Sequence, residues 1–439
     1  MTFIYCINIT ASVLLLFWPV WFARTQLRLP WINPLSIILM TALPVDLMVI
    51  FGGPISLIEE GLFDIGYQYA LLMTNVLTFA QVSGAIFFFR LSKSVGAHRY
   101  MPFQQVLFES RDLRYSSRFF LLVFVFALFM LASAEFGVLN WLLNPREGYQ
   151  LYRAGQGHWY ALATSAIAVS FVLALLARPT AGNVLCITAF YLGLGYLLGT
   201  KGVLLAIFTT TIVFLWFLRW RHLGKLLLVG MPLVFGLMTL NLYLAIGDGM
   251  ELQSIVAYFD HFKNGADYYR SYLNNEVGLF HGEVVMSSLW AYVPRALWSD
   301  KPWVYGITLV NEVFYPGQAE LTHTPAFGGA VEQFADFGPI GVVLFGFFSS
   351  KAILTGLLSY LIFRKPGLHF DHVTFSTVML ILVQYAPAFG SFLPAGLYLL
   401  QLFVILMLLR LLFRSHRRIV PPAPYLLRNE MSSDYKAVQ

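Results

Sequence analysis

Apolar runs of bilayer length recur along this chain, and they leave few folds open. A bilayer core of roughly 30 Å takes about 17–25 residues of helix to cross. Runs of that kind fall near 3–23, 33–52, 67–89, 119–137, 158–177, 184–200, 203–218, 226–246, 339–363, 373–391 and 395–413. Only 11% of the 439 residues are charged and 58% are hydrophobic, against about 25% charged in soluble domains. The expected fold class is an all-α polytopic integral membrane protein of about eleven transmembrane helices. The pairs at 184–218 and 373–413 are joined by very short turns and read as helical hairpins. The first run lacks a basic segment before it and a small-residue cleavage site after it, so it reads as a retained span. Cys6 and Cys186 lie far apart in separate apolar runs, so they supply neither a disulfide framework nor a zinc ligand set.

The loops between these runs sort by charge. One alternate set carries 20 basic residues, among them Arg24, Arg28, the cluster from Arg90 to Arg118, Arg178, Arg219, Arg221, Lys225, Arg364, Lys365 and the tail. The other set carries 7: Arg146, Arg153, Lys201, Lys263, Arg270, Arg295 and Lys301. By the positive-inside rule the first set is cytoplasmic. That puts the N-terminus outside and the C-terminus inside. Four regions follow: a bundle of about eight spans over 1–246, a large extracytoplasmic loop over 247–338, about three spans over 339–413, and a cytoplasmic basic tail over 414–439. The loop is rich in Trp, Tyr, Phe and Val, which argues for order. Ile255, Tyr258, Phe259 and Phe262 repeat at helical spacing, as in an interfacial amphipathic helix. An ordered cap over the bundle is expected.

Several chemistries lack their signatures. There is no GxxxxGK[ST], GxGxxG or HExxH, and no aspartate pair of the kind that holds a divalent ion on a sugar nucleotide. Inside the spans the main ionisable groups are Asp46, Glu135 and Lys351, of which Glu135 is near a helix end and Lys351 can snorkel. The outward-facing groups are denser. Arg153 sits in "YQLYRAGQGHWY", Lys201 in the hairpin turn "LGTKGVL", and Arg270 beside Tyr269 in "GADYYRSYL". In "WAYVPRALWSDKP", Pro294 and Pro302 bracket Arg295, Asp300 and Lys301, while Trp290, Trp298 and Trp303 can anchor the backbone at headgroup level. "ELTHTPAFGGAVEQFADFGPIGVV" carries His323, Glu332 and Asp336 toward the ninth run. The plain alternative is an aromatic belt with snorkelling cations, and a lysine that caps a hairpin by chance. Taken together, these groups suit a phosphorylated, glycan-bearing lipid. Arginine grips phosphate oxygens bidentately, and flat aromatic rings take sugars.

"YVPRALWSDKP" followed by "GGAVEQFADFGPIGVVLFG" resembles the Wzy family of bacterial oligosaccharide repeat-unit polymerases, which includes the O-antigen and enterobacterial common antigen polymerases. The turn "LGTKG" is similar to the family's "GG[ST]R" turn, with lysine in place of arginine. The resemblance covers about residues 150–350. It implies a multi-pass glycosyltransferase of the bacterial inner membrane whose active side is periplasmic. Such an enzyme polymerises undecaprenyl-pyrophosphate-linked repeat units, with a chain-length regulator as partner, and needs no metal or other cofactor. On that reading Arg295 and Arg270, with Lys201, face the pyrophosphate, and His323 or Glu332 takes the acceptor proton. Arg153, Lys201, Tyr269, Trp298 and Lys301 contact substrate. The rival readings are an O-antigen ligase, a lipid-linked oligosaccharide flippase or other transporter, and a scaffold of an export complex.

Overall fold

The computed structural model describes residues 2–29, 31, 33–36, 61–96, 110–134, 137–151, 157–218, 220–246, 262–293, 297–318 and 325–363. Among the described residues the secondary structure is helical, without strands. The helices are α1 (Thr2–Thr25), α2 (Ile65–Val95), α3 (Ser110–Ala134), α4 (Val138–Leu143), α5 (Pro145–Leu151), α6 (Gly157–Ala177), α7 (Ala181–Tyr196), α8 (Lys201–Phe217) and α9 (Leu223–Ile246). They continue with α10 (Phe262–Leu273), α11 (Glu283–Ser288), α12 (Thr308–Phe314), α13 (Val331–Phe334), α14 (Gly338–Phe347) and α15 (Ser350–Phe363). Six stretches are long and apolar enough to cross a bilayer: Phe3–Thr25, Ile65–Val95, Leu113–Ala134, His158–Ala177, Leu223–Leu244 and Gly338–Tyr360. Helices α7 and α8 are apolar but shorter. The chain is thus a polytopic helical membrane protein. The expected count of eleven is not reached among the described residues, since the runs at 373–391 and 395–413 and most of 33–52 lie outside them. The tail at 414–439 lies outside them too.

The ninth run, expected as one span, is two helices. Ser349 breaks it: its hydroxyl donates to the Gly346 carbonyl at 2.8 Å and accepts the Ala352 N–H at 3.1 Å, capping α15 as α14 ends. Helix α2 outruns its apolar stretch, passing Arg90 and Lys93 before Gly96 closes it in the left-handed region at φ 63°.

One group of helices packs around α2, which touches α1, α10, α14 and α15. In a membrane the contact between helices is made by close packing and by polar groups that satisfy one another, since lipid is as apolar as the side chains. Both devices occur here. Asn8 donates to the carbonyl and side-chain oxygen of Gln68, at 3.0 and 2.9 Å. Ser12 donates to Asn75 Oδ1 at 2.9 Å, and Asn75 returns a bond to the Asn8 carbonyl at 3.0 Å. At the α2–α14 crossing a Cβ on Gly84 would collide with the backbone carbonyl of Phe347. Gly84→Val is therefore expected to cost about 1–3 kcal/mol through overpacking, read as a lower unfolding midpoint of the purified protein. An unchanged midpoint would mean that the two helices do not meet there.

A second group joins α3, α6, α7, α8 and α9 around a core that includes Phe124, Ile167, Phe171 and Leu204. Helix α6 is apolar on every side, as a helix enclosed by neighbours should be. Its few polar groups are satisfied locally: Ser117 Oγ donates to the Ser170 carbonyl at 2.9 Å, Ser170 Oγ to the Ser117 carbonyl at 2.6 Å, and Tyr191 OH meets Ser170 Oγ.

Candidate functional site

The segment from Phe262 to Phe337 holds helices too short to span a membrane, and they share a core with the start of α2. Helix α10 buries Phe262, Ala266, Tyr268 and Tyr269, the spacing of one helical face. Phe334 of α13 packs edge-on against Tyr269 and Tyr272, with ring centroids 5.0 and 4.9 Å apart. Of the expected amphipathic helix, residues 255–261 lie outside the described residues, and Phe262 opens α10.

Arg270, one of the expected cations, is held by two carboxylates. Its Nε donates to Asp64 Oδ2 at 3.0 Å, Nη2 reaches the same oxygen, and Nη1 donates to Asp267 Oδ1 at 2.9 Å. Asp64 also caps α2, accepting the Tyr67 N–H at 2.7 Å. Lys263 pairs with the other oxygen of Asp267 at 2.7 Å. The Asp64 side chain is 2% exposed and that of Arg270 40%, so a buried carboxylate meets a guanidinium that still faces solvent. Each terminal nitrogen of Arg270 keeps a second N–H.

Glu332 stands in the first turn of α13, which the chain enters through Gly329 and Ala330, both left-handed at φ 71° and 63°. Solvent reaches its side chain, yet protein crowds it closely. That desolvation raises its pKa above the ordinary carboxylate value. A raised pKa makes a carboxylate a stronger base.

Asp336 is fully buried and anchors another segment. Its Oδ1 accepts the N–H groups of Gly282 and Val284, both at 3.0 Å, and its Oδ2 accepts that of Val285 at 2.7 Å. One carboxylate thus fixes the start of α11. Further along, Ser287 of α11 accepts the Gly306 N–H at 2.8 Å, tying in the tryptophan-rich segment. There Trp290 and Trp298 stack edge to face at 5.4 Å. Lys301 is only 6% exposed; its ammonium donates to the Val293 carbonyl at 3.2 Å and lies 4.7 Å over the Tyr305 ring. Lys301 therefore closes the segment that contains Arg295. Tyr269 is wholly buried and donates to the Gly329 carbonyl at 2.6 Å, leaving its ring no surface for a ligand here.

Lys201 belongs to the second helix group, as the first residue of α8. Burial lowers its pKa to about 8, and the neighbouring Arg146 pushes in the same direction. Arg295, His323 and Arg153 lie outside the described residues. Arg270 and Glu332 thus stand on helices that share one core, Trp298 and Lys301 belong to the segment tied to α11, and Lys201 lies in the other helix group. Reasoning from sequence missed Asp64, Asp267 and Arg146. Asp64 carried one visible signal, an N-cap residue directly ahead of an apolar run.

No known family model matches the chain, and no solved structure matches it. Among curated proteins, the O-antigen polymerases of Salmonella typhimurium (strain LT2) and Salmonella typhi are each 26% identical to it over 227 residues, or 50% of this chain and 54% of each relative. The chain spans about half the length of the curated relatives it matches.

Proposed function

We propose, from this likeness to O-antigen polymerases, that the chain is a glycosyltransferase that polymerises undecaprenyl-pyrophosphate-linked repeat units. The similarity over half of a polytopic helical protein carries the reading, and it agrees with the motif resemblance in the sequence. The work is done at the periplasmic face of the bacterial inner membrane, under the cap formed by residues 247–338. An acceptor hydroxyl attacks the anomeric carbon of the donor sugar. A new glycosidic C–O bond forms as the bond from that carbon to the pyrophosphate oxygen breaks, and the lipid pyrophosphate leaves with its electron pair. Arg295 and Lys201 stabilise the departing charge, and Arg270 contributes its remaining donors. Glu332 or His323 accepts the acceptor proton, and the raised pKa of Glu332 favours it for that role. Arg153 and Trp298 bind the glycan. The cations are side chains, so the reaction needs no added metal, and a separate regulator sets chain length.

The test is reconstitution of the full chain in lipid vesicles with a lipid-linked repeat unit. A ladder of polymer that persists in excess chelator is expected. A single transfer to a lipid A core acceptor, with no ladder, would identify a ligase instead. A ladder that appears only with added magnesium or manganese would overturn the side-chain account of leaving-group stabilisation.

A further inference from the structure

Helix α11 is pinned where a membrane-spanning stretch begins. The Phe280 and His281 N–H groups donate to the carbonyls of Ala335 and Asp336, at 2.9 and 3.2 Å. The Asp336 carboxylate then takes three more N–H groups, those of Gly282, Val284 and Val285. A Cβ on Gly282 would stand 3.2 Å from the Phe337 ring, and one on Gly338 would stand 3.7 Å from the Leu279 side chain. The start of α11 is therefore held against the residues that immediately precede α14, and the apolar stretch that α14 opens is long enough to cross a bilayer. On α14 itself Ile340, Val343 and Leu344 stay exposed, a face that suits acyl chains and not water.

Beyond that junction the polarity of the segment runs inside out. Ser287 is buried on the Gly306 N–H, and Lys301 is buried over the Tyr305 ring. The exposed positions hold Met286 (64% exposed), Leu289, Leu297 (82%) and Trp303. Single exposed apolar groups are ordinary on a wet surface. Here they recur while a serine and a lysine are enclosed. The tryptophans expected as anchors account for little of this face, since Trp290 and Trp298 pack on each other. Aliphatic side chains make most of it. The exposed polar groups of the same stretch, His281, Glu283, Ser299 and Asp300, suit a headgroup layer.

We infer that α11 and the stretch from Leu297 to Trp303 form a foot that rests on the leaflet at which α14 begins, with Met286, Leu289 and Leu297 set among lipid chains. The occupant is lipid because this face adjoins the lipid-facing side of α14 through the Asp336 junction. Elements that lie on a membrane in this way sink about 5–10 Å into the headgroup–acyl boundary. The foot ties the segment to the bilayer surface: lifting it would expose three large apolar side chains to water. The inference needs only that the chain spans a membrane, and it stands or falls apart from the polymerase reading.

Nitroxide labels read the depth directly. Met286→Cys, Leu289→Cys and Leu297→Cys are each made in the full chain with Cys6→Ala and Cys186→Ala, labelled, and placed in lipid nanodiscs. Collision with oxygen, which concentrates in lipid, is compared with collision with a water-soluble nickel chelate, on a depth scale calibrated with spin-labelled lipids. Ile340→Cys on α14 is the lipid-facing reference. All three sites are expected about 5–10 Å below the headgroup boundary. Contact with the nickel chelate as in free water at Met286 and Leu297 overturns the inference. An immobilised label screened from both collision partners reveals a protein on this face, a second copy included, and overturns it too. So does a split between the Met286 and Leu297 sites, because the foot lies as one unit. A second measurement needs no variant: the wild-type chain is irradiated in nanodiscs that contain a diazirine-tailed lipid, and adducts are mapped by mass spectrometry. Adducts are expected on the peptide that carries Met286 and Leu289. Their absence there, with Ile340 labelled, overturns the inference.

Discussion

Replacing Arg295 with lysine is expected to lower polymer formation about 10²–10³-fold, the usual loss when one preorganised donor to a developing charge is removed. Arg295 lies outside the described residues, but its flanks are held. Lys301 donates to the Val293 carbonyl across the segment, and Trp290 packs on Trp298. Pro294 fixes φ immediately before the arginine. A guanidinium can grip pyrophosphate through two parallel bonds, which a lysine cannot reproduce. An interfacial anchor would behave differently, because snorkelling needs only a long stem and a charge. The measurement is polymer length scored against membrane abundance. Near-normal polymer from Arg295→Lys would return Arg295 to the aromatic belt.

Arg270→Ala is expected to lose both stability and activity. It leaves Asp64, which is 2% exposed, without its guanidinium partner. Removing one member of a buried ion pair costs about 3–5 kcal/mol. Because 40% of the Arg270 side chain is solvated, a loss of about 2–3 kcal/mol is the better expectation. It should appear as a lower unfolding midpoint and as loosening of α10 from α2 in hydrogen exchange. Paired replacement by Asp64→Asn and Arg270→Met should recover most of the stability, since no buried charge is then left unpaired. Polymer formation should stay low in the paired variant, because the fork that the proposed mechanism aims at the pyrophosphate is gone. Recovery of polymer together with stability would reduce Arg270 to a residue that positions α10.

Hydropathy located the long apolar helices among the described residues. The runs at 3–23, 67–89, 158–177 and 226–246 each lie on a long helix, as does 119–134 of the run at 119–137, and the hairpin at 184–218 is α7 and α8. The reason is local: a helix in lipid must be apolar over a fixed length, and that requirement can be read residue by residue along the chain. The partners of the candidate site residues were not legible. Arg270 looked like a free cation beside tyrosines until folding brought Asp64 to it from 206 residues away. Tyr269 and Lys301 looked like exposed contacts, yet one is buried against Phe334 and the other closes its own loop. Lys201 and Arg146 are 55 positions apart, and tertiary packing brings them close enough for Arg146 to act on the Lys201 ammonium. Composition and spacing determined that the chain spans a membrane and where its charges are scarce. Which charges neutralise one another was decided by tertiary packing, because a charge's energy depends on distance and burial and not on position along the chain.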